Sequence, residues 1–322
     1  TTSVNKSYPP CRLAGKLAPT SYKLTTMPEL PEVTTTVNGL NKTVVGRIIS
    51  DVWADWARLI RDCSMDKFRL RVVGAKITNA RRRAKNILID LDNGDTILVH
   101  MKMTGHLLFG RWRSCDGKWI ATTEGSLRND PYNGHIRMMI TFEDGAQLAL
   151  SDLRRFAKVG IFRTDAEHNH AELSKLGPEP LEPAFTLLAF KECIVKKTSR
   201  SIKQVLLDQT RISGIGNIYA DEMLFRSGIH PKSNPFAIPN KKLSLLYKTM
   251  RNILREGIEF GGDSMSDYRN ILGERGSFQE KHLAYRRTGL KCLERGCGGK
   301  ITRSVIGGRG SHFCLTHQML YT

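Results

Sequence analysis

Three prolines fall within six positions in the run Leu176-Gly177-Pro178-Glu179-Pro180-Leu181-Glu182-Pro183 and divide this 322-residue chain into two parts. Each proline lacks an N–H and fixes its φ, so the run can continue neither a helix nor a central strand. It reads as a linker over 176–183. Ahead of it lie β-rich runs at 47–53, 75–80, 86–92, 96–103, 136–142, 147–152 and 158–163. The turn signals Asp92-Asn93-Gly94-Asp95 and Glu143-Asp144-Gly145 separate several of them, as antiparallel hairpins require. Val33, Val37 and Leu40 mark a short helix over 32–40 by their spacing. Beyond the linker, apolar residues recur three or four apart over 186–196, 202–207, 217–226 and 241–256. The expected fold class is α+β, with an N-terminal antiparallel β-sandwich or flattened barrel and a helical C-terminal part. There is no internal repeat and no low-complexity tract.

The charge balance narrows the partner. Fifty basic residues stand against 31 acidic ones, a formal charge of +19, and the usual counterpart of such a surface is nucleic acid or anionic lipid. No apolar run reaches the roughly 18 residues that a membrane span needs, so nucleic acid is the better reading. Of the seven cysteines, Cys11, Cys63, Cys115 and Cys193 are scattered, and an odd number excludes an all-paired disulfide framework. Cys292, Cys297 and Cys314 crowd together beside His317. That distribution suits a reduced, intracellular protein with one metal site. Residues 1–26 hold basic and hydroxyl side chains, no acid and no long apolar core. They read as a transit-like leader, a non-native extension or a genuine one.

Four constellations carry chemistry. In Met27-Pro28-Glu29-Leu30-Pro31-Glu32-Val33, a start at Met27 followed by its removal would give Pro28 a free secondary amine. An α-amino group has a pKa of about 7.7–8 and is partly neutral near pH 7; attack on a sugar aldehyde carbon then gives an iminium that favours elimination. Glu29 and Glu32 lie within four residues. In Ser213-Gly214-Ile215-Gly216-Asn217, glycines between two helical segments allow close backbone approach. Asn217 can cap the second helix and leave amides for a phosphate. In Arg81-Arg82-Arg83-Ala84-Lys85, a basic run enters an apolar strand, which would place Lys85 on one sheet face. The fourth, Cys292-x₄-Cys297-x₁₆-Cys314-x₂-His317, has two ligand pairs around a hairpin-length insert. It reads as a closed, structural Zn²⁺ site, with Gly307-Gly308-Arg309-Gly310 as a hairpin tip presenting Arg309.

Together these segments resemble the formamidopyrimidine-DNA glycosylase family, whose relatives include endonuclease VIII. The matching pieces are 27–33, Arg82-Arg83-Ala84-Lys85, 176–181, Gly214-Ile215-Gly216-Asn217-Ile218-Tyr219-Ala220-Asp221-Glu222 and Gly308-Arg309-Gly310-Ser311-His312-Phe313-Cys314. The resemblance implies a helix–two-turn–helix domain and a zinc hairpin, with Pro28 as nucleophile, Glu29 as general acid/base and Glu32 in support. It implies phosphate clamps at Lys85, Asn217 and Arg309, with Lys85 also counted among the catalytic residues. Met103, Arg154 and Phe156 would fill the gap left when a lesion is turned out of the duplex. It implies a division into 1–27 (leader or extension), 28–175 (catalytic sandwich), 176–183 (linker), 184–280 (helix–two-turn–helix) and 281–322 (zinc finger). The chain departs from the family in three places. Four residues separate the first cysteine pair and a histidine ends the ligand set; Asp152-Leu153-Arg154-Arg155-Phe156-Ala157 lacks the customary Pro and Gly; and Lys102 stands where glycine is common.

The expectation is therefore a monomeric, bifunctional DNA glycosylase/AP lyase. It would act on double-stranded damaged DNA, excise oxidised purines such as 8-oxoguanine and formamidopyrimidines, and cleave by β,δ-elimination. The expected location is cytoplasmic, or organellar if 1–26 is a transit peptide. Two rivals are an endonuclease VIII-like glycosylase of oxidised pyrimidines and a catalytically silent DNA-binding protein whose leader blocks Pro28. The segment 261–277, with Tyr268 and Gly273, resembles the one that closes over an oxidised guanine.

Overall fold

A computed structural model describes residues 27–195, 198–265 and 267–322. The readings placed on residues 1–26, Cys11 included, and on the end of the 186–196 helix lie outside the described residues.

The first helix, α1 (Leu30–Thr43), extends the expected 32–40 at both ends. Pro31 is tolerated there because first-turn N–H groups have no intrahelical partner anyway. Ten strands follow: β1 (Ile49–Ala54), β2 (Ile77–Arg83), β3 (Asn86–Leu91), β4 (Asp95–His100), β5 (Gly105–Gly110), β6 (Trp112–Cys115), β7 (Lys118–Ala121), β8 (Ile136–Phe142), β9 (Gln147–Asp152) and β10 (Lys158–Arg163). Between them lie α2 (Met65–Val72) and the single turn α3 (Ser126–Asn129). Two four-stranded sheets form, in the orders β1-β8-β9-β5 and β10-β4-β3-β2, with antiparallel pairing throughout. They close on one core: Leu107, Ile140 and Leu148 from the first sheet meet Ile89, Ile97 and Val159 from the second. Ile87, Leu88 and Ile89 are apolar in succession because both faces of β3 are covered. Ile87, Ile89 and Leu91 face the sandwich core, and Leu88 packs with Leu98, Phe162 and Leu173 on the other side.

Several elements escaped the sequence reading. α2 buries only Phe68 and Val72 among charged residues, too thin a stripe to give a period. β5 is bounded by glycines that read as turns. The run 96–103 stops at His100 because Lys102 takes a left-handed φ of +55° and reverses the chain.

The helical part comprises α4 (Leu187–Val195), α5 (Ile202–Leu207), α6 (Asn217–Ser227) and α7 (Asn240–Glu259). Phe190, Val205, Tyr219, Leu246 and Ile253 are among its core residues. A terminal hairpin, β11 (Ile301–Ile306) and β12 (Arg309–Cys314), turns through Gly307 and Gly308, both at positive φ, as a two-residue turn of primed type demands. Among the described residues no helix is long and apolar enough to cross a membrane.

The two parts are fastened in several places. Leu30 belongs to the helical core while Val33, Val37 and Leu40 belong to the sandwich core, so α1 spans both. Glu179 of the proline-rich run accepts Arg82 Nη1 at 2.5 Å, Arg83 Nη1 at 3.0 Å and the Ala84 N–H at 2.6 Å. Ile271, beyond α7, returns to the sandwich core, and its carbonyl accepts the Phe109 N–H at 2.7 Å.

Candidate active site and nucleic-acid interface

Glu29 and Glu32 meet where the two parts join. The Glu29 N–H donates to Glu32 Oε2 at 2.7 Å. Glu32 Oε1 accepts the Tyr219 hydroxyl and the Asp263 N–H, each at 2.7 Å, so this buried carboxyl is held rigidly. The Glu29 carboxyl accepts the Ile218 N–H at 3.0 Å and the Tyr219 N–H at 3.4 Å at the start of α6. This corrects one expectation. The α6 amides foreseen as phosphate ligands face a carboxylate of the same chain, and the N-cap is Gly216, with Asn217 the first helical residue. The glycine pair serves the same approach: a Cβ at Gly216 would fall on the Glu29 carboxyl, and one at Gly214 on Leu30. Burial raises the Glu29 carboxyl to about 7; Lys85 opposes the shift and the Glu32 charge adds to it. A carboxyl in that range can give or take a proton near neutrality. Pro28 is buried between Met27 and Glu29. Joined to Met27, its nitrogen is an amide and is not nucleophilic.

Met27 and Glu29 face a cleft of about 1330 Å³ between the two parts, whose walls also carry Lys85, Lys102, Met103, Asn217, Arg286, Arg303 and Arg309. Lys85 is in the β2–β3 turn after Ala84 (φ +54°), where Arg83 pairs with Asn86. It is therefore not on a sheet face, because the basic run ends β2 and the apolar run starts β3. Burial pushes its ammonium below the ordinary lysine range, and Glu29 opposes the shift. Arg82 and Arg83 are committed to Glu179.

On the opposite wall the Asn217 amide donates to the Gly310 carbonyl at 3.0 Å. Lys203, fully buried, donates to Asp221 Oδ1 at 2.5 Å, Ser311 Oγ at 2.7 Å and the Gly310 carbonyl at 3.1 Å. Asp221 Oδ2 accepts the His312 N–H at 2.9 Å and lies 3.0 Å from His312 Nδ1. These bonds lock β12, and with it the exposed Arg309 at its start, onto α5 and α6. Glu222 accepts the N–H groups of Leu283, Ala284 and Tyr285 and fixes the entry to the hairpin region.

The Cys292, Cys297 and Cys314 thiols lie within 4.8 Å of one another. Cys297 and Cys314 are separated by 3.6 Å between sulfurs, close to the roughly 3.8 Å edge of a tetrahedron with 2.3 Å Zn–S bonds. The three thiols fit a metal ion. His317 does not join them. Its Nε2 lies 2.7 Å from the Phe225 carbonyl, with its ring against the Phe225 ring, so the expected fourth ligand is engaged elsewhere.

Met103, Arg154 and Phe156 come together on the sandwich side. Arg154 lies over the Phe156 ring at 4.5 Å and approaches Met103 Sδ at 3.4 Å. Phe156 is 46% exposed, which is incompatible with a core-packing role. Asp152 shapes this loop by accepting the Thr104 hydroxyl and the N–H groups of Arg154 and Ala157. Arg155 takes the left-handed conformation, φ +57°.

The sequence reading missed Glu179, Lys203 and Asp221. Glu179 was visible only as a linker acid. Lys203 had a signal, a cation set among Ile202, Val205 and Leu206 on a short apolar helix, but its partners lie 18 and more than 100 positions away.

The chain resembles known proteins along most of its length. The profile of the formamidopyrimidine-DNA glycosylase N-terminal domain matches residues 27–159, and that of the family's H2TH domain matches 176–269. A formamidopyrimidine-DNA glycosylase of Bacillus licheniformis is 37% identical over 295 residues, covering 91% of this chain and 99% of that protein. The Bacillus subtilis protein of that name is 36% identical over 289 residues, covering 89% and 98%. Among solved structures, a complex of Lactococcus lactis Fpg with DNA containing an abasic site has a TM-score of 0.78. It is 29% identical and covers 90% of this chain and 99% of that one. With both profiles matched in order and the relatives covered almost end to end, the chain belongs to the formamidopyrimidine-DNA glycosylase family of DNA-repair glycosylases.

Proposed function

We propose that the chain, once trimmed to begin at Pro28, excises oxidised purines such as 8-oxoguanine and formamidopyrimidines from duplex DNA and then cleaves the abasic strand. The observation that carries the reading is the Glu29 carboxyl. It is buried beside Pro28, raised to about 7, and faces a cleft edged by Lys85, Asn217 and Arg309. The N-terminal profile begins at Met27, which supports a start there. Met27 borders the cleft, so its removal would turn the Pro28 nitrogen toward the bound strand. The substrate class is supported by the relatives' name and by the L. lactis complexes with abasic-site and N7-benzyl-Fapy-dG DNA, the latter 30% identical to this chain.

The steps follow from the residues. The Pro28 nitrogen bonds to C1′, its own proton leaving with the departing base, and Glu29 protonates the deoxyribose ring oxygen as the C1′–O4′ bond breaks to leave an iminium. The iminium so formed acidifies C2′, and loss of the C2′ proton expels the 3′ phosphate; loss of a second proton, from C4′ of the now conjugated iminium, expels the 5′ phosphate. Lys85, Asn217 and Arg309 grip the kinked backbone, while Met103, Arg154 and Phe156 occupy the space left by the everted nucleotide. A Zn²⁺ ion held by Cys292, Cys297 and Cys314 would brace the hairpin that carries Arg309 and take no part in the chemistry.

Borohydride reduction in the presence of an abasic duplex tests the reading. A chain expressed from Met27 should give a covalent adduct through Pro28, whereas one with Met27 retained should not. No adduct from a verified Pro28 start would overturn the lyase assignment. Excision of thymine glycol in preference to 8-oxoguanine would overturn the purine assignment.

A further inference from the structure

Backbone strain in this molecule gathers at the cleft. Among the described residues, five non-glycine residues have left-handed φ: Ala84, Lys102, Asp116, Arg155 and Arg286. Three of them, Ala84, Lys102 and Arg286, line the cleft. Side chains other than glycine enter this region at a cost because Cβ crowds the following carbonyl, and such residues cluster where function requires them. Ala84 is explained by the tight turn that carries Lys85. Lys102 and Arg286 need another reason, since glycine would satisfy the backbone at either position and neither long cation adds to a core.

Their surroundings supply one. Lys102 (φ +55°) follows β4, and its N–H donates to His100 Nδ1 at 3.0 Å, which pins the turn. Burial and the nearby Lys158 and Arg61 charges disfavour its ammonium; Glu172 is the acid that favours it. Glu172, however, already binds Lys158 Nζ at 2.6 Å. Positive charge is thus collected on this bank beyond what the local carboxylate balances. Arg286 (φ +56°) stands on the C-terminal bank, its guanidinium 5.9 Å from the Tyr285 ring centroid. Tyr285 is itself held in place through its N–H by Glu222 at 2.7 Å.

We propose that Lys102 and Arg286 are two further phosphate-binding residues, one on each bank. They would extend the grip on the DNA backbone beyond Lys85, Asn217 and Arg309. The proposal rests on the reading of the cleft as the DNA site. Each cation accepts a strained backbone because its side chain must reach the strand from a position where the chain turns sharply.

The experiment measures binding of the full-length chain to a short duplex containing a tetrahydrofuran abasic analogue over a series of KCl concentrations. Melting temperatures are taken in parallel. Lys102→Gly and Arg286→Gly should each make the slope of log K against log[salt] shallower by about 0.9, and the double variant by about 1.8. If the lines meet at 1 M salt, each single variant binds roughly eightfold more weakly at 0.1 M. Both glycine variants should melt no lower than the parent, because glycine relieves the strain. Lys102→Gln keeps the strain and removes the charge, so it should reproduce the slope change; Lys102→Arg should restore the parental slope. A parent that binds the abasic duplex while all neutral variants keep its slope would overturn this proposal alone. A parent that does not prefer the abasic duplex would instead overturn the functional reading beneath it.

Discussion

The two banks of the cleft hold their functional groups by different means. On the sandwich bank, Lys85 and Lys102 sit in short reversals of the chain, with Ala84 and Lys102 in the left-handed region; the first reversal is braced from outside by Glu179, through its bond to the Ala84 N–H and its ion pairs with Arg82 and Arg83. On the helical bank, Asn217 and Arg309 take their positions from a buried polar network in which Lys203, Asp221, Gly310, Ser311 and His312 are bound together. A group set by its own turn can be removed without disturbing its neighbours. A group set by a network is lost when a remote partner is changed. Glu29 belongs to both banks, since it opens α1 and binds the start of α6.

The largest effect should come from that shared residue. Glu29→Gln keeps an oxygen to accept the Ile218 N–H but cannot donate the catalytic proton. Base excision should fall by about 10²–10⁴-fold with duplex affinity retained, measured in single-turnover assays. An excision rate equal to the parent's would remove Glu29 from the mechanism.

Next come the network and the turn, compared directly. Asp221→Ala leaves Lys203 buried without its counter-charge and should destabilise the fold by about 3–5 kcal/mol, read from denaturant unfolding. Lys85→Ala, at a position lining the open cleft, should cost less stability than Asp221→Ala, yet weaken DNA binding and reduce the salt slope by about 0.9. Equal stability losses from the two would erase the contrast between the banks.

The pH profile gives a third comparison. Glu29 is raised to about 7 from 4.5 in the folded protein, so the native state holds this proton more tightly than the unfolded one. Its contribution to stability is fully present below about 4.5 and is lost as pH rises through about 7. Excision that uses the protonated carboxyl should decline over the same upper range. Cleavage of a preformed abasic site, whose sugar is partly ring-opened already and has no base to expel, should decline less. Parallel profiles for the two substrates would refute this role of the carboxyl.

The smallest effects are local. If the three thiols hold Zn²⁺ as proposed, Cys297→Ser should lower the metal content, measured by mass spectrometry, and weaken duplex binding. His317→Ala should leave that content unchanged, because His317 binds the Phe225 carbonyl. Loss of metal from His317→Ala would restore it as a ligand.

Legibility differed along the chain for physical reasons. Strands with a clean apolar pattern, such as β3, β8 and β9, were readable because burial imposes the pattern residue by residue. α2 and β5 were not, since one buries too few side chains and the other is bracketed by glycines. In the site, Glu29, Glu32, Lys85, Asn217 and Arg309 were each visible by residue type and by motif. Their relations were not. The α6 amides went to Glu29 instead of to a phosphate, Lys85 proved to be in a turn, and His317 turned away from the thiols.

By itself the sequence determined that the chain would split at its prolines into β-rich and helical parts, carry a strongly basic surface, and bring three cysteines close together near its end. Those are properties of neighbouring residues and of summed charge, which need no third dimension. Only the tertiary structure decided that Gly216 exists to admit the Glu29 carboxyl, that Glu179 clamps the β2–β3 turn, and that Lys203 steers the Arg309 hairpin. Each of these depends on groups far apart in sequence meeting where water is excluded. There an unpaired charge or N–H costs too much to be left alone, so the packed fold, and not the local sequence, selects the partner.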